Sequence, residues 1–328
     1  MNTRDSSSFL YEQPQEMIEK VIQNIERVII GKREAVEKVL IAFISQGHVL
    51  IEDIPGVGKT MLVRALAKSI DCSFNRIQFT PDLLPTDITG ISMYNQKTRD
   101  FEFRPGPLMS NIVLADEINR TSAKTQSALL EAMAERSLTV DGMTYKLPNP
   151  FLILATQNPF EYEGTYVLPE AQMDRFSVRI QLGYPSKTQE VTMLERVQKV
   201  HPIKSLKAVL FKEELIELQK KAREIHVDAA LREYIVQISK TTRHHPHLQL
   251  GVSPRASIDL MKAAQSLALI RGRTYVVPDD IKELILPVFA HRIVLKQNIE
   301  MTGLSTISVL TKIKEELPIP TLKYVSLG

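Results

Sequence analysis

Short apolar runs, uninterrupted by polar residues, recur through the first half of the chain. The clearest are residues 48–51, 112–115 and 151–155. Because every position in these runs except His48 is apolar, they are too uniform for half-exposed antiparallel strands and predict buried strands of a parallel sheet. Residues 74–79 and 176–180 are weaker candidates, and with them the sheet has about five strands.

Helical patterns lie between these runs. Apolar residues recur on one helix face after the first run and again after the second: Leu62, Ala65, Leu66, Ile70, Leu129, Leu130 and Met133. Such alternation of strand and helix predicts an α/β fold with a doubly wound parallel sheet. Ligands of these sheets bind at the carboxyl ends of the strands, so the candidate chemistry should lie there.

Two segments break the alternation and predict β-hairpins. Residues 138–147 place an Asp-Gly turn between alternating apolar positions, and residues 91–103 alternate in the same way around a polar tip. A purely structural role and contact with a partner are equally good interpretations of both hairpins.

Past Pro185 the pattern becomes wholly helical. Long helical stretches are predicted near residues 187–200, 211–225, 228–242, 254–271 and 278–296. The pattern therefore divides the chain into a flexible N-terminal arm (1–15), an α/β core that carries the hairpins (16–185) and an α-helical domain (186–328).

Composition limits the function without naming a ligand. The chain has 328 residues, 44% hydrophobic and 24% charged, as in a globular protein of about two domains. Its 41 basic and 38 acidic residues give a formal net charge of +3, so charge alone does not indicate a nucleic-acid partner. The single cysteine, Cys72, excludes an intramolecular disulfide and a zinc site built on cysteines. Since the start is not leader-like and no apolar run approaches ~18 residues, we expect a cytoplasmic protein without a membrane span.

A glycine-rich segment between the first predicted strand and a helix reads EDIPGVGKT. Gly56 and Gly58 allow a tight turn whose backbone amides approach a phosphate chain at the positive end of that helix. Lys59 supplies a point charge to the β- and γ-phosphates, and the Thr60 hydroxyl is placed for Mg²⁺. The general phosphate-loop pattern has glycine where this chain has Asp53, so a residue with a Cβ must form the first bend. The competing interpretation is an ordinary glycine turn that caps the helix.

Polar residues follow the next two predicted strands. Asp116 and Glu117 come directly after residues 112–115, and Asn158 follows residues 151–155. Asp116 would hold Mg²⁺, Glu117 would orient and deprotonate an attacking water, and Asn158 could bond that water or the γ-phosphate. The alternatives are helix capping by an acidic pair and, for the asparagine, a simple turn.

Three longer segments extend the argument beyond a generic phosphate-loop protein: ADEINR, ATQNPFEYEGTYVLPEAQMDRF and GVSPRAS. With them the chain resembles the MoxR family of AAA+ ATPases over about residues 28–293. The resemblance implies an AAA+ core with strand order 5-1-4-3-2, a helical lid, and a hexameric ring. It also implies chaperone-like action on client proteins, often ones with a von Willebrand factor A domain.

The resemblance also implies roles for individual residues. Lys59 and Thr60 match the Walker A motif, Asp116 and Glu117 match Walker B, and Asn158 matches sensor 1. The implied ligands are ATP and Mg²⁺, with Thr60 and Asp116 on the metal. The other implied nucleotide contacts are the rest of the loop and a stretch against adenine: Asp53, Pro55, Gly56, Val57, Gly58, Met61, Val28, Ile29, Ile30 and Gly31. Apolar core is an equally good account of the aliphatic side chains at 28–30.

Two arginines complete the implied site. Arg175 matches the arginine finger, which reaches the nucleotide of a neighbouring subunit, with Arg120 or Arg136 as substitutes if Arg175 is not the finger. Arg255 matches sensor 2, which contacts the γ-phosphate of its own subunit. For Arg175 and Arg255 the alternative is a helix charge with no phosphate partner.

Other candidates favour structural interpretations. His244, His245 and His247 lie in a Pro-containing segment without ligand-spaced carboxylates, which favours a surface loop over a metal site. Arg271 and Arg273 favour a solvated helix end over contact with nucleotide or a neighbour.

Three functions remain in competition. The leading one is an ATP-driven remodelling machine; the second is an ATP-gated assembly scaffold with negligible turnover. A DNA-remodelling ring is the third, and the near-neutral charge disfavours it.

Overall fold

The computed structural model describes residues 13–158, 166–199, 202–300 and 303–320. Its strands are β1 (Val49–Glu52), β2 (Phe74–Gln78), β3 (Gly90–Asn95), β4 (Asp100–Pro105), β5 (Ile112–Asp116), β6 (Ser137–Val140), β7 (Met143–Lys146), β8 (Leu152–Gln157), β9 (Val178–Ile180), β10 (Leu248–Leu250) and β11 (Val294–Leu295). Its helices are α1 (Pro14–Glu26), α2 (Arg33–Ile44), α3 (Lys59–Ser69), α4 (Pro85–Thr89), α5 (Ala123–Glu135), α6 (Glu170–Met173), α7 (Lys187–Lys199), α8 (Lys212–Glu224), α9 (Ala229–Arg243), α10 (Pro254–Ile270), α11 (Pro278–Phe289), α12 (Gln297–Glu300) and α13 (Thr306–Glu316).

The central sheet has five parallel strands in the order β2-β5-β8-β1-β9. Numbered by chain position and read from β9, this order is 5-1-4-3-2, which confirms the predicted AAA+ topology. Parallel pairing places all carboxyl ends at one edge of the sheet, here called the carboxyl edge, and all amino ends at the other, the amino edge.

Both faces of the sheet are covered, which explains the unbroken apolar runs. In β5, Ile112 and Leu114 pack into one hydrophobic cluster with α1, α2 and α3, whereas Val113 and Ala115 pack into a second cluster with α5. A strand with both faces buried has no position for a polar alternation.

The helical region packs directly on the sheet domain. Helix α10 contacts α1 and α2, α11 contacts β9, and one hydrophobic cluster runs continuously through these elements. Such a continuous core makes these helices and the sheet a single packed body rather than two loosely joined ones.

The helix predicted over residues 278–296 is too long. Helix α11 ends at Phe289, and Val294–Leu295 forms β11, which pairs antiparallel with β10, so the region past Pro185 is not wholly helical. Between them, the His291 and Arg292 side chains bond to the carbonyl of Phe176, which draws the chain into the sheet domain and ends the helix. At the other end, the predicted arm 1–15 lies outside the described residues as far as residue 12, and α1 begins at Pro14.

Both predicted hairpins are present, as β3 with β4 and β6 with β7. Asp141 and Gly142 form the second turn with φ of 49° and 78°, as a two-residue hairpin requires. The rings of Phe103 and Tyr145 stack at a centroid distance of 4.0 Å and join the two hairpins. Phe101 and Met143 are exposed on them.

Candidate nucleotide site

The glycine-rich loop lies at the carboxyl edge, between the end of β1 and the start of α3. Gly56 and Gly58 have φ of +83° and +94°, a conformation that side chains with a Cβ rarely adopt. A Cβ built at either position meets no described atom within 4 Å, so the space beside both glycines is open. An open loop of backbone amides at a helix N-terminus is suited to bind an anion such as a phosphate chain.

Lys59 begins α3 and points back across this loop. Its Nζ donates a hydrogen bond to the carbonyl oxygen of Asp53 at 2.8 Å. Burial lowers the pKa of Lys59, while the nearby charges of Asp116, Asp53 and Glu117 oppose that shift. The ammonium group thus lies between the loop and the acidic pair, where a terminal phosphate would be.

Asp53 turns its side chain away from the loop interior. One carboxylate oxygen accepts hydrogen bonds from the amides of Leu182 at 2.5 Å and Gly183 at 2.8 Å, and the other accepts from Ile54 at 2.9 Å. The residue that replaces the usual glycine therefore ties the loop to the segment that follows β9. Asp53 was predicted as a nucleotide contact, but its carboxylate is bonded to backbone amides of the protein.

Asp116 ends β5 and is held from both sides. Arg76 of β2 donates to one carboxylate oxygen from Nη2 at 2.7 Å and Nε at 3.0 Å, and the Thr156 hydroxyl of β8 donates to the other at 2.5 Å. Three neighbouring strands thus fix the orientation of this acid at the carboxyl edge.

Glu117 lies one residue further, in the left-handed conformation with φ of +59°. Its amide donates to the Thr156 hydroxyl at 2.8 Å, and its carboxylate accepts from the Gln78 side chain at 2.7 Å and lies 3.3 Å from Nε of Arg120. A residue with a Cβ held at positive φ costs about 1–3 kcal/mol, and such strain recurs at active sites. The charges of Glu117 and Asp116 both act on Lys59, so the two acids lie on the side of the loop where the phosphates would bind.

Sequence reasoning missed Arg76, Gln78 and Thr156. All three lie within two residues of the carboxyl ends of β2 or β8, the same edge as the predicted acids. Their position at the ends of predicted strands could have indicated that they face the site. The apolar pattern of β2 is too weak, however, to show which of its residues do so.

The donor set at this edge fits Mg²⁺. The Thr60 hydroxyl and the Asp116 carboxylate are hard oxygen ligands, and Mg²⁺ is typically held by one or two carboxylates together with substrate phosphates. Asn158 directly follows β8 at the same edge, as predicted.

A cavity of about 310 Å³ opens beside the loop. Its wall is mostly apolar, with polar groups at its margin: Val28, Ile29, Ile30, Lys32, Gly56, Val57, Gly58, Met61, Tyr184, Pro185, Glu190, Met193, Arg196 and Pro202. This lining suits a flat base joined to a phosphate chain in the loop. Gly31 has φ of +69° and lies against the Gln189 side chain, and Pro55 is not among the lining residues.

Arg175 and Arg255 lie at the opposite, amino edge. The amide of Ser177, at the start of β9, donates to the carbonyl of His48, just before β1. Asp174 bonds to Ser253, the N-cap of α10, and so places the first turn of α10, with Arg255, beside the segment that carries Arg175.

The separation of the two edges bears on the expectation that Arg255 reaches the γ-phosphate of its own subunit. His48 and Asp53 are five residues apart along an extended strand, about 16 Å. Helix α10 begins at the amino edge, and the charge of Arg255 acts on His48, so Arg255 lies about one strand length from the Lys59 loop of its own chain.

The alternative finger residues are already bonded within their own chain. Arg120 pairs with Glu117, and Nη2 of Arg136 donates to the Gln46 carbonyl at 2.8 Å while burial lowers the Arg136 pKa. Arg175 makes no ion pair with another residue of the described ranges.

Several side candidates prove structural. Arg271 is exposed at the end of α10, as expected for a solvated helix end, and Arg271 and Arg273 also bind the fully buried Asp280 at 3.2 and 2.6 Å. Burial raises the pKa of the Cys72 thiol to about 12.

The three histidines also have protein partners. The His244 ring bonds to the Lys240 carbonyl, and His245 accepts from the His247 amide. The part of the chain that the structure describes contains no cluster of three or more residues able to hold a metal ion.

The site and sheet define an AAA+ ATPase, and comparison with known proteins agrees. Residues 48–178 match the model of the ATPase family associated with various cellular activities, and residues 240–313 match the AAA lid domain. A crystal structure of a Cytophaga hutchinsonii protein assigned as an ATPase superposes with a TM-score of 0.89 at 39% identity, covering 96% of this chain and 98% of that one.

Sequence relatives specify the family. Uncharacterized protein YeaC of Bacillus subtilis is 54% identical over 304 residues, 93% of this chain and 95% of YeaC. Chaperone MoxR1 of Mycobacterium tuberculosis is 42% identical over 317 residues, 94% of this chain and 84% of MoxR1. This chain belongs to the MoxR family of AAA+ ATPases. Within the described ranges, its helices are too short or too polar for a bilayer span.

Proposed function

We propose that this chain binds ATP with Mg²⁺ at its carboxyl edge, hydrolyses ATP at the subunit boundaries of a hexameric ring, and remodels or activates client proteins. One observation carries the proposal: the phosphate loop and the acids lie at one edge of the sheet, while two arginines lie at the other. Each chain then holds two complementary half-sites.

The carboxyl edge supplies the receiving half-site. The loop amides and the Lys59 ammonium bind the phosphate chain, with Lys59 leaving the Asp53 carbonyl for the β- and γ-phosphates. Thr60 and Asp116 would hold Mg²⁺, which neutralises phosphate charge. Glu117 accepts a proton from the attacking water and orients it, and Asn158 bonds the same water or the γ-phosphate.

The amino edge supplies the delivering half-site. Because Arg175 and Arg255 lie at the edge opposite the loop of their own chain, both would serve the neighbour in a head-to-tail ring, where they stabilise charge on the transferred phosphoryl group. This proposal differs from the arrangement that the resemblance implies, in which Arg255 acts within its own subunit.

Client action is inferred from the relatives and the hairpins. The name Chaperone MoxR1 supports a chaperone-like role, and the exposed Phe101 and Met143 supply apolar contact area for a protein client. We also propose that the client has a von Willebrand factor A domain. The proposal includes a cytoplasmic location and no nucleic-acid partner.

Glu117→Gln tests the proposal. We expect it to retain ATP binding and to lose hydrolysis by about 100-fold or more, because an amide cannot accept the proton from water. Steady-state phosphate release measures turnover, and native mass spectrometry with and without ATP measures assembly. Glu135→Gln, the same change at an exposed position at the end of α5, is the matched control. Equal, near-zero rates for wild type and Glu117→Gln would favour the assembly scaffold.

A further inference from the structure

A buried ionic network lies at the amino edge, around Arg292. The Arg292 side chain is 1% exposed, and its Nη2 donates to the Phe176 carbonyl and to the Asp259 carboxylate, both at 2.6 Å. Its Nε lies 3.6 Å from the Asp174 carboxylate. One guanidinium therefore joins the segment before β9 to α10, from a position just past the end of α11.

Ser253 makes a second connection between the same elements. Its hydroxyl accepts from the Ala256 amide, which caps α10, and contacts both carboxylate oxygens of Asp174 at 2.9 and 2.8 Å. Asp174 directly precedes Arg175, and Ser253 lies two residues before Arg255. The network thus holds the backbone beside each of the two arginines.

The physical chemistry of this network makes it rigid. A buried guanidinium must keep its carboxylate partners, because removing one leaves an uncompensated charge in a poorly solvated place. Charge-assisted hydrogen bonds are also short and directional. The segment 174–176 and the first turn of α10 should therefore move as one body.

We propose that Asp174, Ser253 and Arg292 are positioning residues that hold Arg175 and Arg255 as one two-arginine unit for the neighbouring subunit. This inference rests on the proposed function, since it needs a nucleotide across the subunit boundary. The network touches no part of its own phosphate loop, so its loss should spare nucleotide binding and impair hydrolysis in trans.

Asp174→Asn and Ser253→Ala test the proposal. We expect each to bind fluorescent ATP with unchanged affinity and to hydrolyse it at least about tenfold more slowly, because loss of a supporting contact misplaces both guanidinium groups. Ser253→Thr keeps the hydroxyl and should retain most of the rate. Wild-type turnover by Asp174→Asn would overturn the proposal.

Subunit mixing separates positioning from a merely structural role. An Asp174→Asn chain keeps its own acids, and a Glu117→Gln chain keeps its own arginines, so a 1:1 mixture of the two impaired proteins forms some complete sites. If boundaries are independent and subunits mix at random, about one quarter of the boundaries are complete and activity returns to about that fraction. A mixture that assembles but stays inactive would overturn the proposal.

Asp280→Asn is the matched control. Asp280 is also a buried acid bonded to arginines in the helical region, but it has no contact with the network. We expect it to lower the Tm while leaving the rate per folded chain and the mixing result unchanged.

Assembly with ATP tests the positioning role without a measurement of turnover. If wild type does not hydrolyse ATP, the proposed function fails, yet the positioned arginines should still stabilise the ATP-bound ring. Native mass spectrometry of Asp174→Asn with ATP should then show dissociation into smaller species at concentrations where wild type stays assembled. Equal assembly of the two proteins would contradict the inference.

Discussion

The two edges of the central sheet are built in opposite ways. At the carboxyl edge an open backbone loop faces a cavity, and Glu117 is held by partly exposed partners, Gln78 and Arg120. At the amino edge Arg292 is almost fully buried and bonded to two elements. This contrast fits the proposed function, because a site that binds a ligand must stay accessible to it, whereas side chains offered to a neighbouring subunit depend on fixed geometry.

Removal of an arginine from the amino edge should have the largest effect. We expect Arg175→Ala to bind ATP normally and to lose hydrolysis by about 10³-fold, as in other sites where an arginine finger stabilises the transferred phosphoryl group. Arg255→Ala should resemble it, and mixing either with Glu117→Gln should restore activity. Arg232→Ala, on the exposed face of α9, is the control. A loss of binding by Arg175→Ala would place that arginine in its own nucleotide site.

Lys59→Ala should impair nucleotide binding at the carboxyl edge. Loss of a charge-assisted contact to phosphate should weaken ATP binding by about 100-fold. Titration of a fluorescent ATP analogue measures this effect, with Lys124→Ala at the exposed start of α5 as the control. Because the arginines remain in place, a Lys59→Ala subunit should still activate a wild-type neighbour. Tight binding by Lys59→Ala would contradict the assigned phosphate loop.

Acid should destabilise the amino edge. Burial lowers the pKa of His48 to about 3, and its ring is bonded as a neutral group to the Ile153 amide and the Met133 carbonyl. A folded pKa below the unfolded value gives stability that is present above pH ~6.5 and lost as pH falls towards 3. Between pH 7 and 5 we expect the free energy of unfolding to fall by about 2 kcal/mol from this residue.

Denaturant unfolding at each pH measures that loss. Burial also lowers the pKa of His291, with a contribution from Arg292, so this residue adds to the same trend. His48→Gln should flatten the pH dependence between pH 7 and 5. An unchanged slope in this variant would show that His48 does not carry the effect.

Asp53→Gly should have the smallest effect of the four. It recreates the general loop pattern but removes the carboxylate that holds Leu182 and Gly183, so we expect ATP affinity to fall by about tenfold. Asp279→Asn, at an exposed position in the first turn of α11, is the control. Tighter ATP binding by Asp53→Gly would mean that the hydrogen bonds of Asp53 to Leu182 and Gly183 weaken nucleotide binding.

Local patterns were enough to predict the sheet and the phosphate loop. The uniform apolar runs predict buried parallel strands, and Gly56 and Gly58 predict the tight loop, because this information lies within a few residues. The strand order was predicted by the resemblance to the MoxR family and not by these local patterns. Arg255 could not be assigned to an edge, because its position depends on the direction of α10 across the sheet. Likewise, the Asp53 partners lie 129 and 130 residues away, a separation that no local pattern encodes.

The stacked rings of Phe103 and Tyr145 connect the two hairpins to each other. Helix α5 leads directly into β6 of the second hairpin. Its Gln126 side-chain amide donates to the carbonyls of Ile118 and Thr121, just past Glu117, so α5 connects the hairpins to the carboxyl edge. Because the two hairpins are joined in this way, any displacement of α5 should move both of them together, and a change at the carboxyl edge would reach two separate insertions through one helix.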